Sequence, residues 1–426
     1  MRRPTRNHRL QLVIVLGVAT LLALSGDLTL YAILPVNAGG LLLTLAQVGV
    51  LLSANRLIRL LSNPLTGFLL DKGKRRPIIL YGLLLGTLST LVYAFTRQFF
   101  ILLLGRMMWG FAWSFINVGG NTMVIDSTQQ GGRGHYIGVL NTLVSLGLAL
   151  NPLLGGFLAD AVGFRPTMLV CALLTGAGFL LALFLLPETH PGRPDTIPSE
   201  EPNEDQPVSV GTRSAWITAL FNFKLKDLSW ETWLAIILTL IFSFTGNGLI
   251  LGTIGRFLAL ELPQGALVGG TLLGVSTLAG MTLSGRSLLI AITAPLSGVF
   301  SDREKTRWTG VLVALVLGVV GMLALGGLPT TPALVVGITL VSICEGVLFT
   351  VLPAIVGDGS SESQRGRAIG LTFVAGDLGA ALAPILVYSL LSLIPLRSIY
   401  LASASAFGLG LVLVVIQGLC RGRVDD

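Results

Sequence analysis

Long apolar runs, each bounded by charge, glycine or proline, follow one another along the chain. They predict helices near 10–34, 44–70, 77–95, 99–125, 135–159 and 166–186, and six more near 233–257, 266–300, 308–328, 333–357, 367–392 and 398–419. Crossing the hydrocarbon core takes about 20 apolar residues per helix, and each run supplies that length. The pattern therefore predicts an all-α integral membrane protein of twelve spans, with residues 1–186 and 233–426 as two six-helix bundles. Residues 187–232 separate them. This stretch is rich in proline, carries the acidic string Ser199 to Asp205, and reads as a flexible linker. Two readings stand for its later part, Trp216 to Leu228: an ordinary loop, or an interfacial helix with Trp216, Phe221 and Phe223 toward lipid and Lys224 and Lys226 toward headgroups.

Composition agrees. Of 426 residues 53% are hydrophobic and 12% charged, against roughly 25% charged in a soluble domain, so a soluble globular protein is excluded. The 53 glycines are spread through the apolar runs, as suits closely packed membrane helices. Cys171, Cys344 and Cys420 lie in apolar stretches or at a chain end, and no disulfide is read from them. The net charge of +7 is a property of loops rather than a nucleic-acid footprint. Most of the 28 basic residues, among them Arg2, Arg3, Arg6, Arg9, Lys72, Lys74, Arg75 and Arg76, fall on one side of the map, with Arg97, Arg165 and Arg397 on the other. The positive-inside rule then puts both termini in the cytoplasm of a cell-membrane protein. The start of the chain also has features of a cleaved signal, with Ala23-Leu-Ser25 as a cleavage site. Against it, Ser25-Gly26-Asp27 matches Thr245-Gly246-Asn247 in helix 7, so helix 1 is read as retained.

That match belongs to an internal repeat. Leu52-Ser53, Pro64-Leu65, Gly67 and Asp71-Lys72 recur as Leu283-Ser284, Pro295-Leu296, Gly298 and Asp302-Arg303. Asp126, Arg133-Gly134, Ile137-Gly138, Leu146-Gly147 and Pro152 recur as Asp358, Arg365-Gly366, Ile369-Gly370, Leu378-Gly379 and Pro384. Charged, glycine and proline matches in register mark two related halves.

The loop after helix 2, Gly67-Phe-Leu-Leu-Asp71-Lys72-Gly-Lys-Arg75-Arg76, resembles the G-x-L-x-D-R-x-G-R-R pattern of the major facilitator superfamily, with Lys72 for arginine and the second glycine one position early. Gly298, Asp302 and Arg303 form a degenerate second copy. The resemblance covers essentially the whole chain and implies two pseudo-symmetric bundles and a conformation-sensing charge network at Asp71 and these cations. Gly67 is expected at a close helix approach, with Asp71 near a neighbouring helix N-terminus. Arg106-Met-Met-Trp-Gly110 in helix 4 is similar to the family's R-x-x-x-G motif, whose arginine is associated with protons or substrate charge. In helix 5, Gly147-Leu-Ala-Leu-Asn151-Pro152-Leu-Leu-Gly155-Gly156 is similar to the motif linked to antiporters, with Asn151 replacing a glycine. Its other reading is a glycine and proline bend used for packing.

A charge at the bilayer centre costs about 2.5–3.5 kcal/mol on insertion scales, so those inside the runs need a reason. Seven of them, Asp27, Arg56, Arg59, Arg106, Arg286, Glu345 and Asp377, are singled out, and they avoid helices 3, 6, 9 and 12, which the family fold turns to lipid. Glu345 and Asp377 fall near mid-depth and form the leading acid pair. Asp27 and Arg106 share the outer half and can pair with each other, while Arg56 and Arg59 share one helix face. A partly desolvated carboxyl holds a proton more readily than one in water, which nominates Asp27, Glu345 and Asp377 for proton coupling; the competing reading is a permanent structural pair with Arg286 or Arg59. Asn55, Asn121, Asn141, Asn247, Trp109 and Trp113 join the four arginines as expected cavity residues.

The function expected is secondary transport of a small organic solute by alternating access, as proton-coupled efflux from a monomer. An organic-anion or lipid-linked substrate carrier using Arg56, Arg59 and Arg286 is the alternative, decided by whether those arginines are free or neutralised by acids. A non-transporting membrane sensor is the alternative of another class. No phosphate loop, H-E-x-x-H or G-x-S-x-G motif occurs, so neither enzyme chemistry, metal nor cofactor is expected.

Overall fold

The structure is a computed structural model that describes residues 6–128, 133–189, 228–303 and 307–422. The acidic string at 199–205 and the segment that begins at Trp216 lie outside them. The first bundle comprises α1 (Arg6–Asn37), α2 (Leu45–Lys72), α3 (Arg75–Phe95), α4 (Phe99–Ser127), α5 (Arg133–Val162) and α6 (Phe164–Leu185). The second comprises α7 (Trp230–Glu261), α8 (Val275–Arg303), α9 (Arg307–Gly327), α10 (Thr331–Asp358), α11 (Glu362–Leu390) and α12 (Leu396–Gly422). Eleven of these helices are long and apolar enough to cross a membrane; α2, with Arg56 and Arg59 in mid-length, is not among the eleven. Exposed apolar side chains such as Tyr81 on α3, Phe184 on α6, Val313 on α9 and Leu409 on α12 present the expected outer helices to lipid.

Two local features depart from the apolar pattern. Helix 8, expected from residue 266, begins only at Val275. Ahead of it Ala266–Val268 and Thr271–Leu273 form a two-stranded antiparallel hairpin. Gly269 and Gly270 both have positive φ, which the tightest hairpin turn requires at its two central positions. In α7 the ladder widens to a π-helix over Ser243–Ile250, the segment that contains Thr245-Gly246-Asn247; such insertions concentrate at functional sites.

The repeat is visible in side-chain pairs. Arg75 binds Asp126 at 2.9 Å, from the start of α3 to the end of α4, and Arg307 binds Asp358 at 3.0 Å, from the start of α9 to the end of α10. Asn55 on α2 donates to Asp27 on α1 at 3.4 Å, and Arg286, its counterpart on α8, donates to Asn247 on α7 at 3.1 Å.

The bundles meet on the face opposite the termini, and they meet backbone to backbone. A Cβ at Gly49 on α2 would press on the Pro384 carbonyl and on Tyr388 of α11. One at Gly156 on α5 would overlap the Ser276 carbonyl of α8, one at Gly280 on α8 the Pro152 carbonyl of α5, and one at Gly255 on α7 would crowd Ala32 of α1. Across the same seam Asp160 at the end of α5 caps α8: its Oδ2 accepts from the Thr277 amide and hydroxyl at 2.7 Å each, and its Oδ1 from the Ser276 amide at 3.2 Å. Toward the termini the helices part. Gly67, Gly134, Gly138, Gly285, Gly366 and Gly370 have open space where a Cβ would point. The glycine-mediated approaches between the bundles therefore lie toward the face opposite the termini.

Overpacking a close contact costs typically ~1–3 kcal/mol, so Gly156→Val should prise α5 from α8 and weaken the closed face. A cysteine placed at the buried Ala32, in a background without native cysteines, should then react with a maleimide about tenfold faster, the equivalent of ~1.4 kcal/mol. An unchanged labelling rate would show that this seam does not hold the face shut.

Candidate functional site

Among the described residues the seven intramembrane charges resolve into three ionic groups. In the first bundle Arg106 is fully buried and binds Asp27 at 2.5 Å, donates its Nε to the Leu51 carbonyl at 2.8 Å, and lies over the Tyr31 ring. The Tyr31 hydroxyl donates to Asn55 Oδ1 at 3.2 Å and to the Leu52 carbonyl. Helices α1, α2 and α4 are thus tied together by one network, as the sequence suggested for Asp27 and Arg106, with Arg106 Nη2 left buried and unpartnered.

The second group lies within the other bundle. Arg286 on α8 binds Glu345 Oε2 on α10 at 2.6 Å, and the same nitrogen reaches Asn247 on α7. Glu345 is 2% exposed, and its Oε1 has no hydrogen-bond partner. That carboxylate packs against Gly246 in the π-helical stretch, where any Cβ would overlap it. A buried acceptor without a donor asks for an explanation, and here the backbone has been opened to admit it.

The third group joins the bundles. Asp377 on α11 stands 3.1 Å from Arg59 and 3.7 Å from Arg56, both on α2. Arg56 and Asp377 each lie seven residues inward from the seam contact of Gly49 with Pro384, about 10 Å at the rise of a helix. By Gly67, farther along α2, the neighbours are gone. The trio therefore sits between the seam contact and the part of α2 that has no close neighbour at Gly67. Glu345 and Asp377, read from the sequence as one acid pair, do not pair with each other: each faces its own arginines, because α10 packs Glu345 inside its bundle while α11 turns Asp377 toward α2. Arg286, read as a cavity cation, is neutralised.

Other expected residues are placed as follows. Trp109 is buried in the first bundle against Gly86 of α3, away from the seam, and tilts against the half-buried Trp113. Asn121 is hydrogen-bonded to Asn117 one turn back, and Asn141 is exposed on α5. In α5, Gly147 and Gly155 pack on α1, Asn151 donates to the Leu21 carbonyl, and Pro152 faces Gly280, so the motif is fully engaged in packing. Gly67, expected at a close helix approach, has open space because the bundles diverge there. Asp71 is exposed and has no hydrogen bond or ion pair among the described residues. The amides of Arg75 and Arg76, which open α3, are instead accepted by Glu188, while the Arg75 side chain turns to Asp126. Arg76 donates to the Leu183 carbonyl, and Lys72 lies over the Phe68 ring. Gly298 makes an ordinary contact with Thr350, and the side chains of Asp302 and Arg303 lie outside the described residues. Tyr31 and Asp160 were not anticipated: nothing in a lone tyrosine or a helix-ending aspartate marks a partner that is distant in sequence.

Two repeated bundles that meet closely on one face, with ionic groups inside the membrane-spanning helices, define the class of alternating-access membrane carriers. The model of the Major Facilitator Superfamily matches residues 16–287 and 273–418, and the chain belongs to that family, which consists of transporters and not enzymes. It is 31% identical over 194 residues to the class C tetracycline resistance protein of Escherichia coli, covering 44% of this chain and 47% of that one. To the quinolone resistance protein NorA of Staphylococcus aureus it is 25% identical over 213 residues, half of each. The matches thus span about half the length of these relatives or less. Among solved structures, the human organic anion transporter MFSD10 aligns with 95% of this chain and 99% of its own at TM-score 0.63 and 22% identity. A peptide transporter of the POT family aligns with 97% and 94% at TM-score 0.75 and 16% identity. Both show the fold.

Removing one partner of a buried ion pair costs about 3–5 kcal/mol, whereas replacing both with apolar groups is often close to neutral. Asp27→Asn should accordingly lower the unfolding temperature of the purified protein sharply, and Asp27→Leu combined with Arg106→Met should recover most of the loss. Additive losses in the double variant would show that the two charges do not act as a pair.

Proposed function

We propose that the chain exports a small organic solute across the cell membrane in exchange for protons, by alternating access, as a monomer with both termini in the cytoplasm. The positive-inside bias supports the orientation, and with it the cavity faces inward. Relatives named for tetracycline and quinolone resistance support export, since a carrier confers resistance by lowering the internal concentration of a drug. The three ionic groups all lie within one chain, so the site needs no second copy.

The observation that carries the coupling is Glu345. Its Oε2 is held by Arg286, and its Oε1 is buried with no partner at the π-helical segment of α7. A proton arriving on this carboxyl removes the charge that holds Arg286 and loosens the tie between α8 and α10. Protonated and ionised forms thereby favour different arrangements of the bundle, which is what coupling requires. The inward-open form carries the pair intact, as expected of a carrier that has released its proton inside and is ready to load solute. Asp27, fixed by Arg106 and Asn55, acts as scaffold in this scheme.

Reconstituted into vesicles with an imposed pH gradient and a fluorescent resistance-drug probe, Glu345→Gln should lose proton-driven transport by about tenfold or more, ~1.4 kcal/mol of coupling, while still exchanging probe for probe. Proton-driven transport that survives in Glu345→Gln would sink this assignment.

A further inference from the structure

The three ionic groups differ in a way that bears on the solute. Two are tight and lie within one bundle each, at 2.5 and 2.6 Å, with one arginine to one carboxylate. The third is loose, joins the bundles, and sets two arginines against a single aspartate at 3.1 and 3.7 Å. Its net charge is therefore positive by one. Arg59 Nε is buried with no partner, as are Nη2 of Arg106 and Nε of Arg286, but the side chains of Arg56 and Arg59 keep 19% and 17% of their surface accessible against 0% and 6% for Arg106 and Arg286. In the low-dielectric middle of a membrane an uncompensated cation is costly, and a guanidinium pair with spare donors fits a planar or tetrahedral anion.

We propose that the solute carries a carboxylate, sulfonate or phosphate group, that Arg56 and Arg59 bind this group, and that Asp377 occupies its place when the carrier is empty. Resting on the transport reading above, this names the solute's chemical class. The anion enters from the cavity, takes the free donors of Arg59 and displaces Asp377. Since Asp377 comes from α11 and the arginines from α2, loading exchanges a link between the bundles for one between solute and the first bundle. The empty carrier keeps its arginines partly neutralised by Asp377 and can reorient; the loaded carrier does so with the solute's charge in that role. Asp377 is thus a positioning residue for the empty state, whereas Arg56 and Arg59 touch the solute. Arg286 and Arg106 take no part, because each is buried and balanced by a carboxylate of its own.

The test uses the full chain in detergent and in vesicles, with 1-naphthoate, 1-naphthalenesulfonate and 1-naphthyl phosphate as probes beside their uncharged analogue 1-naphthamide and the cation 1-naphthylmethylamine. By calorimetry at least one anion should bind about tenfold or more tightly than the amide and the amine, a charge-assisted preference. Arg59→Gln and Arg56→Gln should each reduce that preference by about tenfold, and Asp377→Asn should raise anion affinity severalfold by removing the competitor. In vesicles Asp377→Asn should retain anion-for-anion exchange and lose net efflux, a split that a merely structural role would not produce. The inference is overturned if no anion outbinds its uncharged analogue on the unmodified protein, a comparison that needs no variant to fold, or if both arginine variants bind the anions unchanged. Failure of proton coupling in Glu345→Gln leaves these binding results untouched, so the two readings fail separately.

Discussion

A charge in hydrocarbon must be neutralised or hydrated, and this constraint organises the molecule. Seven of the charged groups within the membrane-spanning helices have ionic partners; Arg256, near the end of α7, is a further one, and its buried Nε has no hydrogen-bond partner. The partners available to each decide what it can do. Arg106 is enclosed by Asp27, the Leu51 carbonyl and the Tyr31 ring and is fully buried, and three helices of the first bundle are held as a unit. Arg286 and Glu345 do the same for the second bundle, with one oxygen left over. Rigid halves are a precondition for rocking, because a bundle that deforms cannot transmit a change at one face to the other.

Between the rigid halves the contacts are of a different kind. Glycines on α2, α5, α7 and α8 let backbone approach backbone across the seam, and Asp160 caps α8 from the end of α5. Such surfaces interlock few side chains, so they can separate without repacking a core. Small residues at helix interfaces serve this purpose in membranes, where no hydrophobic force drives helices together. The antiporter-like motif in α5 thereby gains a mechanical meaning: one face, Gly147 and Gly155, fixes α5 to its own bundle, and the other, Pro152 and Gly156, forms half of the opening seam.

Much of this was legible in the sequence. The twelve spans, the two halves, the charge-free outer helices and the pairing of Asp27 with Arg106 follow from hydropathy, repeat spacing and depth. The hairpin at 266–273 escaped because Leu267, Val268 and Leu272 read as apolar span, although Gly269-Gly270 was its turn signal. The repeated pairs Arg75–Asp126 and Arg307–Asp358 were hidden by a change of one residue in the repeat offset between helix 2 and helix 4. Whether Arg286, Arg56 or Arg59 is spoken for depends on which helix faces which, and periodicity along one chain segment carries no such information. The exposure of Asp71 and the open space at Gly67 belong to one conformation of the molecule, and a sequence describes all of its conformations at once.

In the proposed cycle the Asp27–Arg106 pair keeps its geometry, so its shortness costs nothing in rate, and the Arg286–Glu345 pair is released by a proton rather than by rocking. A pair across the seam must break or be replaced each time the bundles rock, and a short, fully buried one would hold the carrier in one state. Asp377, shared between two arginines at longer distances and seven residues inward from the glycine contact of α2 with α11, meets that requirement. Its weakness is consistent with a link that is exchanged, and its excess of positive charge leaves a vacancy for an anion to fill when the exchange occurs.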